Sequence, residues 1–148
     1  MALPALQTTL PLTTARRHRA ELLDTMHAVE HALAAPAAEP GWRPAVTARL
    51  GALQSAFAEH MRLTEGTDGL YAELLDHAPR LAYQVRGLVR EHAALATGID
   101  AVCSRMTSAA PGDMRGWASN LLRDLSRHRQ RGADLVYEAF ATDIGGET

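Results

Sequence analysis

Apolar residues recur at steps of three and four along almost the whole chain, and no stretch keeps the strict alternation of a half-buried strand. The pattern predicts an all-α protein. A first helix is expected over about residues 13–35, ended by Pro36, Pro40 and Gly41. A second starts near Pro44, a residue tolerated in a first turn, and continues to about Glu65, where Gly66, Thr67, Asp68 and Gly69 interrupt it. Residues 70–78 read as a short helical turn. Pro79 opens a third helix that reaches about Ser108; after Ala110, Pro111 and Gly112, Asp113 is the expected N-cap of a fourth, which ends near Ala141 before Asp143, Ile144, Gly145 and Gly146. Long helices with short connectors favour antiparallel neighbours, so the expected architecture is an up-down-up-down four-helix bundle in one domain over residues 1–148.

Residues three, four or seven positions apart share a helix face. The inward stripes read His18, Leu22, Met26, Val29, Leu33 in the first helix and Val46, Leu50, Leu53, Phe57, His60, Thr64 in the second. They continue as Leu81, Val85, Leu88, His92, Leu95, Ile99, Val102, Met106 in the third and Trp117, Leu121, Leu125, His128, Gly132, Leu135, Ala139 in the fourth. Each predicted helix therefore carries one inward histidine. Burying four imidazoles requires a partner for every ring nitrogen, and a metal ion is one partner common to all. His18 lies early in an ascending helix and His60 late in a descending one, which places both at one end of the bundle; the pattern does not fix the heights of His92 and His128. His27 and His31 also have a ligand spacing, but His27 is rotated about 140° from Leu22, onto an exposed face shared with Asp24 and Glu30. His77, beside Pro79, reads as a capping or loop residue.

Composition narrows the chemistry. The chain has 148 residues, seven histidines and one cysteine, and all fifteen basic side chains are arginine. A formal charge of −2 and a pI near 6.4 argue against nucleic acid or an anionic membrane as partner. Cys103 alone excludes an internal disulfide, a cysteine-built zinc site and an iron–sulfur cluster, so a metal site here has to use histidine and carboxylate. Residues 1–14 lack the basic residue and sustained apolar run of a secretory signal, and no run of about 18–20 apolar residues occurs; a cytoplasmic location is expected.

Arg17-His18-Arg19, the run from His60 through Met61, Arg62, Leu63 and Thr64 to Glu65, Glu91-His92, and His128 with the turn that follows it resemble the hemerythrin-like family, or HHE cation-binding domains. The resemblance covers most of the chain. It implies an antiparallel four-helix bundle around a non-heme, usually di-iron, centre held by histidines from all four helices and bridging carboxylates, in proteins that handle dioxygen, peroxide or nitric oxide or respond to iron. The family's second helix usually carries a glutamate four residues after its histidine, and its fourth a glutamate four after or an aspartate five after. Here the i+4 positions are Thr64 and Gly132, so the bridging carboxylates are replaced.

Glu65 and Asp134 are the nearest substitutes. Glu65, beside Gly66, is the reasonable ligand; Asp134, about 240° around the helix from His128, reads first as a surface or salt-bridge residue. Glu91 is placed to orient a ligand or to pair with an arginine such as Arg90 or Arg127. The expected metal ligands are thus His18, His60, Glu65, His92 and His128, a nitrogen-rich set that suits a single transition-metal ion, iron before zinc or copper, better than a carboxylate-bridged pair, with an atypical dinuclear centre left open. Gly132 reads equally as close helix packing or as room for a small ligand. Three functional readings follow: a metal site that binds, senses or activates dioxygen, peroxide or nitric oxide; a metal-dependent oxidative enzyme on a small organic substrate; and a metal-free bundle acting as an interaction protein, with homo-oligomerisation open.

Overall fold

A computed structural model describes the backbone of residues 3–142 and the side chains of residues 17–140. Along the described residues run α1 (Leu3–Ala34), α2 (Trp42–Glu65), α3 (Leu70–His77), a 3₁₀ turn Pro79–Leu81, α4 (Ala82–Arg105), α5 (Pro111–Tyr137) and a wide turn Glu138–Thr142. The protein is all-α. α1, α2, α4 and α5 form the predicted up-down four-helix bundle, with α1 on α2, α2 on α4, α4 on α5 and α5 back on α1.

Boundaries differ from expectation for physical reasons. α1 begins at Leu3 rather than near Thr13; Pro4 stands in its first turn, where a missing N–H costs nothing. Pro79 opens a short 3₁₀ turn, and the regular helix starts only at Ala82. Asp113 is not the N-cap of the last helix. That place belongs to Ala110, in an extended conformation, with Pro111 following; Asp113 sits in the first turn, where its charge meets the positive end of the helix dipole. The apolar side chains of residues 1–14 and the tail with Ile144 lie outside the described residues.

The predicted stripes are buried almost throughout. Trp117 is only half-buried, and Met114, Ala118 and Leu122 pack in its stead on α5. The apolar interior falls into two clusters. One, with Leu22, Leu53, Phe57, Leu95 and Leu125, fills the bundle's main length; the other, with Leu70, Leu74, Leu88 and Leu135, lies under α3 at the opposite end. Between Leu88 and Leu95, and between Leu125 and Leu135, the chain places His92 and His128, so the histidines form a layer where the two clusters meet.

Two arginines fasten the far end. Arg43 on α2 donates to Met106 O at 2.6 Å and Ala109 O at 2.7 Å, beyond the end of α4, while Arg115 on α5 donates to Leu33 O at 3.2 Å and Ala35 O at 2.9 Å at the end of α1. These carbonyls have no partner within their own helices, and the guanidinium fork takes two at once. The histidine end is built differently, by a short helix laid across it.

Candidate metal centre

α2 brings Phe57, His60 and Thr64 to its inner face and then stops at Gly66. The return of the chain is tight: a Cβ on Gly69 would stand 2.7 Å from Leu63 O and 2.8 Å from Thr64 O, so only glycine lets the backbone pass there. That close passage sets α3 over the end of the bundle, with Tyr71 facing the histidine layer.

His60, His92 and His128 are buried, and each offers one ring nitrogen within 4.8 Å of the other two. Their ring centroids are 4.9 Å (His60–His92), 4.6 Å (His92–His128) and 5.7 Å (His60–His128) apart. Phe57 forms an apolar floor, 5.6 Å from both His60 and His92. His18 stacks on His60 at 5.7 Å but does not join the three-nitrogen group, and Tyr71 stacks on His92 at 5.7 Å.

Carboxylates orient two of the rings. His92 Nδ1 donates to Glu65 Oε2 at 2.5 Å, and His128 Nδ1 donates to Glu91 Oε1 at 2.8 Å. A carboxylate only accepts, so each pair keeps the proton on Nδ1 and leaves Nε2 with its lone pair. Arg131 Nε donates to the other oxygen of Glu91, at 2.8 Å. The Tyr71 hydroxyl lies 3.4 Å from His92 Nε2. His60 has no such support: both its nitrogens, and Nε2 of His18, are buried without a hydrogen-bond partner among the described residues.

The electrostatics favour neutral rings. Burial, reinforced by His92 and His128, drives the His60 imidazole down to about 2. Burial also lowers His92 and His128, against the opposing pull of Glu65 and Glu91. Glu91 is raised by burial, but hydrogen bonds from His128 and Arg131 outweigh this and hold it below the usual carboxylate range. Burial pushes the Tyr71 phenol well up, so it stays a neutral donor. Three neutral imidazoles facing one another, two of them held from behind by carboxylates and one with no protein partner, make a donor set that fits one transition-metal ion.

Neither position where the resemblance implies a bridging carboxylate carries one. The Thr64 hydroxyl donates back to His60 O at 2.8 Å, and Gly132 offers no side chain. Glu65 is engaged on His92 Nδ1, behind the ring, and is a partner of that histidine, not a member of the three-nitrogen group. Of the five residues expected to bind metal, the structure therefore brings three to one point, sets His18 beside them and places Glu65 behind one. His27 and His31 are exposed, as expected, and His77 stacks on Phe140 at 4.8 Å. Asp134 accepts from Gln130 at 2.8 Å on the surface.

A cavity of about 280 Å³ adjoins the centre, walled by His18, His60 and His128 on one side and by Leu63, Leu70, Tyr71 and Val136 on the other. A Cβ on Gly132 would meet nothing within 4 Å, so this glycine opens onto space and does not serve close helix packing. Helical phase alone does not separate Tyr71 from Tyr83 and Tyr137 as a residue of this pocket; the Gly66 and Gly69 pair just before Tyr71 is the signal that does. Tyr83 and Tyr137 are 70% and 71% exposed. Arg129 also lines the cavity.

No family model, curated protein or solved structure matches this chain. Among the described residues no helix is long and apolar enough to cross a membrane.

Proposed function

We propose that the chain is a hemerythrin-like protein that holds one transition-metal ion, iron before zinc or copper, on His60, His92 and His128, with His18 stacked on His60 beside them. The observation that carries this is His60: a buried imidazole with neither nitrogen partnered, facing two imidazoles whose lone pairs Glu65 and Glu91 turn inward. Leaving such groups unsatisfied costs about 1–3 kcal/mol each, and a metal ion removes that cost. Three protein ligands leave coordination positions open for a small ligand, and an ion of this kind supplies Lewis-acid or redox chemistry at those positions. The protein's own part is to keep the imidazoles neutral, fix the tautomers of His92 and His128 through the two carboxylates, and pack Phe57 against the rings. Tyr71 adds a neutral hydroxyl donor on the open side. Dioxygen, peroxide or nitric oxide is the ligand class that the resemblance supports.

Protein purified without chelator and offered Fe, Zn, Cu and Ni in turn is expected to retain about one equivalent per chain, and His60→Ala to retain less than about a tenth of that. Elemental analysis with a visible spectrum reads both, and an unaltered protein that holds none of the four metals would sink the proposal. The cavity favours a second reading, a metal-dependent enzyme on a small organic molecule, because its volume far exceeds that of a diatomic ligand.

A further inference from the structure

The cavity has a chemistry of its own apart from its size. Taking about 30 Å³ as one water molecule's share of volume, 280 Å³ corresponds to about nine waters, which is room for a compact organic molecule. Leu63, Leu70 and Val136 make one wall apolar. Arg129, next in sequence to His128, is half-buried in the lining of the same space, and its guanidinium has no carboxylate or carbonyl partner among the described residues. A guanidinium on a partly apolar cavity wall with no acceptor from the protein is matched by a carboxylate, which guanidinium groups bind through short charge-assisted hydrogen bonds. Arg19 adds a second guanidinium to the lining, and Asp68 at the rim sets a negative charge against any doubly charged headgroup.

We infer that this chamber binds a small monocarboxylate with an apolar body, its carboxylate on Arg129 beside the His60 and His128 rings and its hydrocarbon part against Leu63, Leu70 and Val136. The inference deepens the second reading above, and its placement of the carboxylate beside the histidines rests on that reading. The Gly132 gap is the space that the body fills, which explains why a residue costly inside a helix stands there.

Titration of full-length ¹⁵N-labelled protein, metal-loaded and chelator-treated, with sodium benzoate, benzamide and benzylamine tests it by chemical-shift mapping. Benzoate is expected to bind saturably and to shift the amides of Leu63, Leu70 and Gly132, with benzamide and benzylamine at least about tenfold weaker. Arg129→Gln is expected to weaken benzoate by about tenfold or more, and Gly132→Phe to abolish binding with the fold retained by circular dichroism. Benzamide binding as well as benzoate, or no shift at millimolar benzoate, overturns the inference, and neither result needs a variant. Metal content of the same samples is measured independently. One equivalent of metal without benzoate binding removes the chamber's assignment alone; benzoate binding with no metal retained removes the metal reading and leaves Arg129 and the chamber in place.

Discussion

Gly132 stands one turn after His128 on the inner face of α5, and its surroundings decide between two readings that the sequence left open. Open space around the missing Cβ means that alanine fits without displacing anything. Gly132→Ala is therefore expected to stabilise the protein by up to about 1 kcal/mol through helix propensity, raising Tm by roughly 2–4 °C. A drop in Tm would mean that the helices close on this position. Histidine phase was readable because helical periodicity alone fixes it, and His18, His60, His92 and His128 are all buried as predicted. The direction of the carboxylates was not. Whether Glu65 reaches into the ring cluster or behind His92 depends on how α2 crosses α4, and Glu91 finds Arg131 and His128 on α5, not Arg90 or Arg127.

Among the elements, the helix stripes were readable and the ends were not. Periodicity reports the face that a helix buries, whereas its termini depend on which groups meet the unpaired carbonyls and N–H groups, and here those partners come from distant chain. Arg43 reaches across to Met106 and Ala109, sixty-odd residues away, and also lies 3.0 Å from Met114 Sδ. Removing it leaves two part-buried carbonyls without a donor. Arg43→Ala is expected to cost about 2–3 kcal/mol in urea denaturation, and Arg43→Lys to recover less than half, because an ammonium does not reproduce the fork. Full recovery by lysine would show that the charge alone matters. α3 illustrates the other limit of sequence reading: residues 70–78 read only as a short helical turn, yet the eight-residue helix they form places Tyr71 over His92 and packs into the second apolar cluster.

For the whole molecule, the buried histidines couple stability to pH. In the unfolded chain His60 takes a proton near 6.5, whereas in the folded chain it resists until about 2. Between those values the unfolded state binds more protons, so folding stability rises with pH in that window and is lost as pH falls through it. His92 and His128 are shifted in the same direction and add to the slope. Metal-free protein is expected to lose up to about 1.4 kcal/mol per pH unit below 6.5 for each such histidine, and to level off above about pH 7.5. In His60→Leu the slope should flatten, and stability at pH 5 should exceed that of the unaltered chain; equal slopes in a urea series across pH 4.5–8 would contradict this.

The layer of imidazoles between two apolar clusters is also expected to serve as a register key. Leucine, valine and alanine stripes tolerate sliding, and a bundle made of them alone has neighbouring alignments one helical turn, about 5.4 Å, apart that bury similar surface. Sliding α4 or α5 by a turn here would part Glu65 from His92 or Glu91 from His128 and drive an imidazole into the leucines on either side. A single buried polar layer is a known means of fixing alignment at some cost in stability. Leucine at positions 60, 92 and 128 together is accordingly expected to give a more stable bundle with less uniform packing, visible as broadened side-chain methyl resonances. The same side chains that offer nitrogen to a metal would then also be those that hold four similar helices to one alignment.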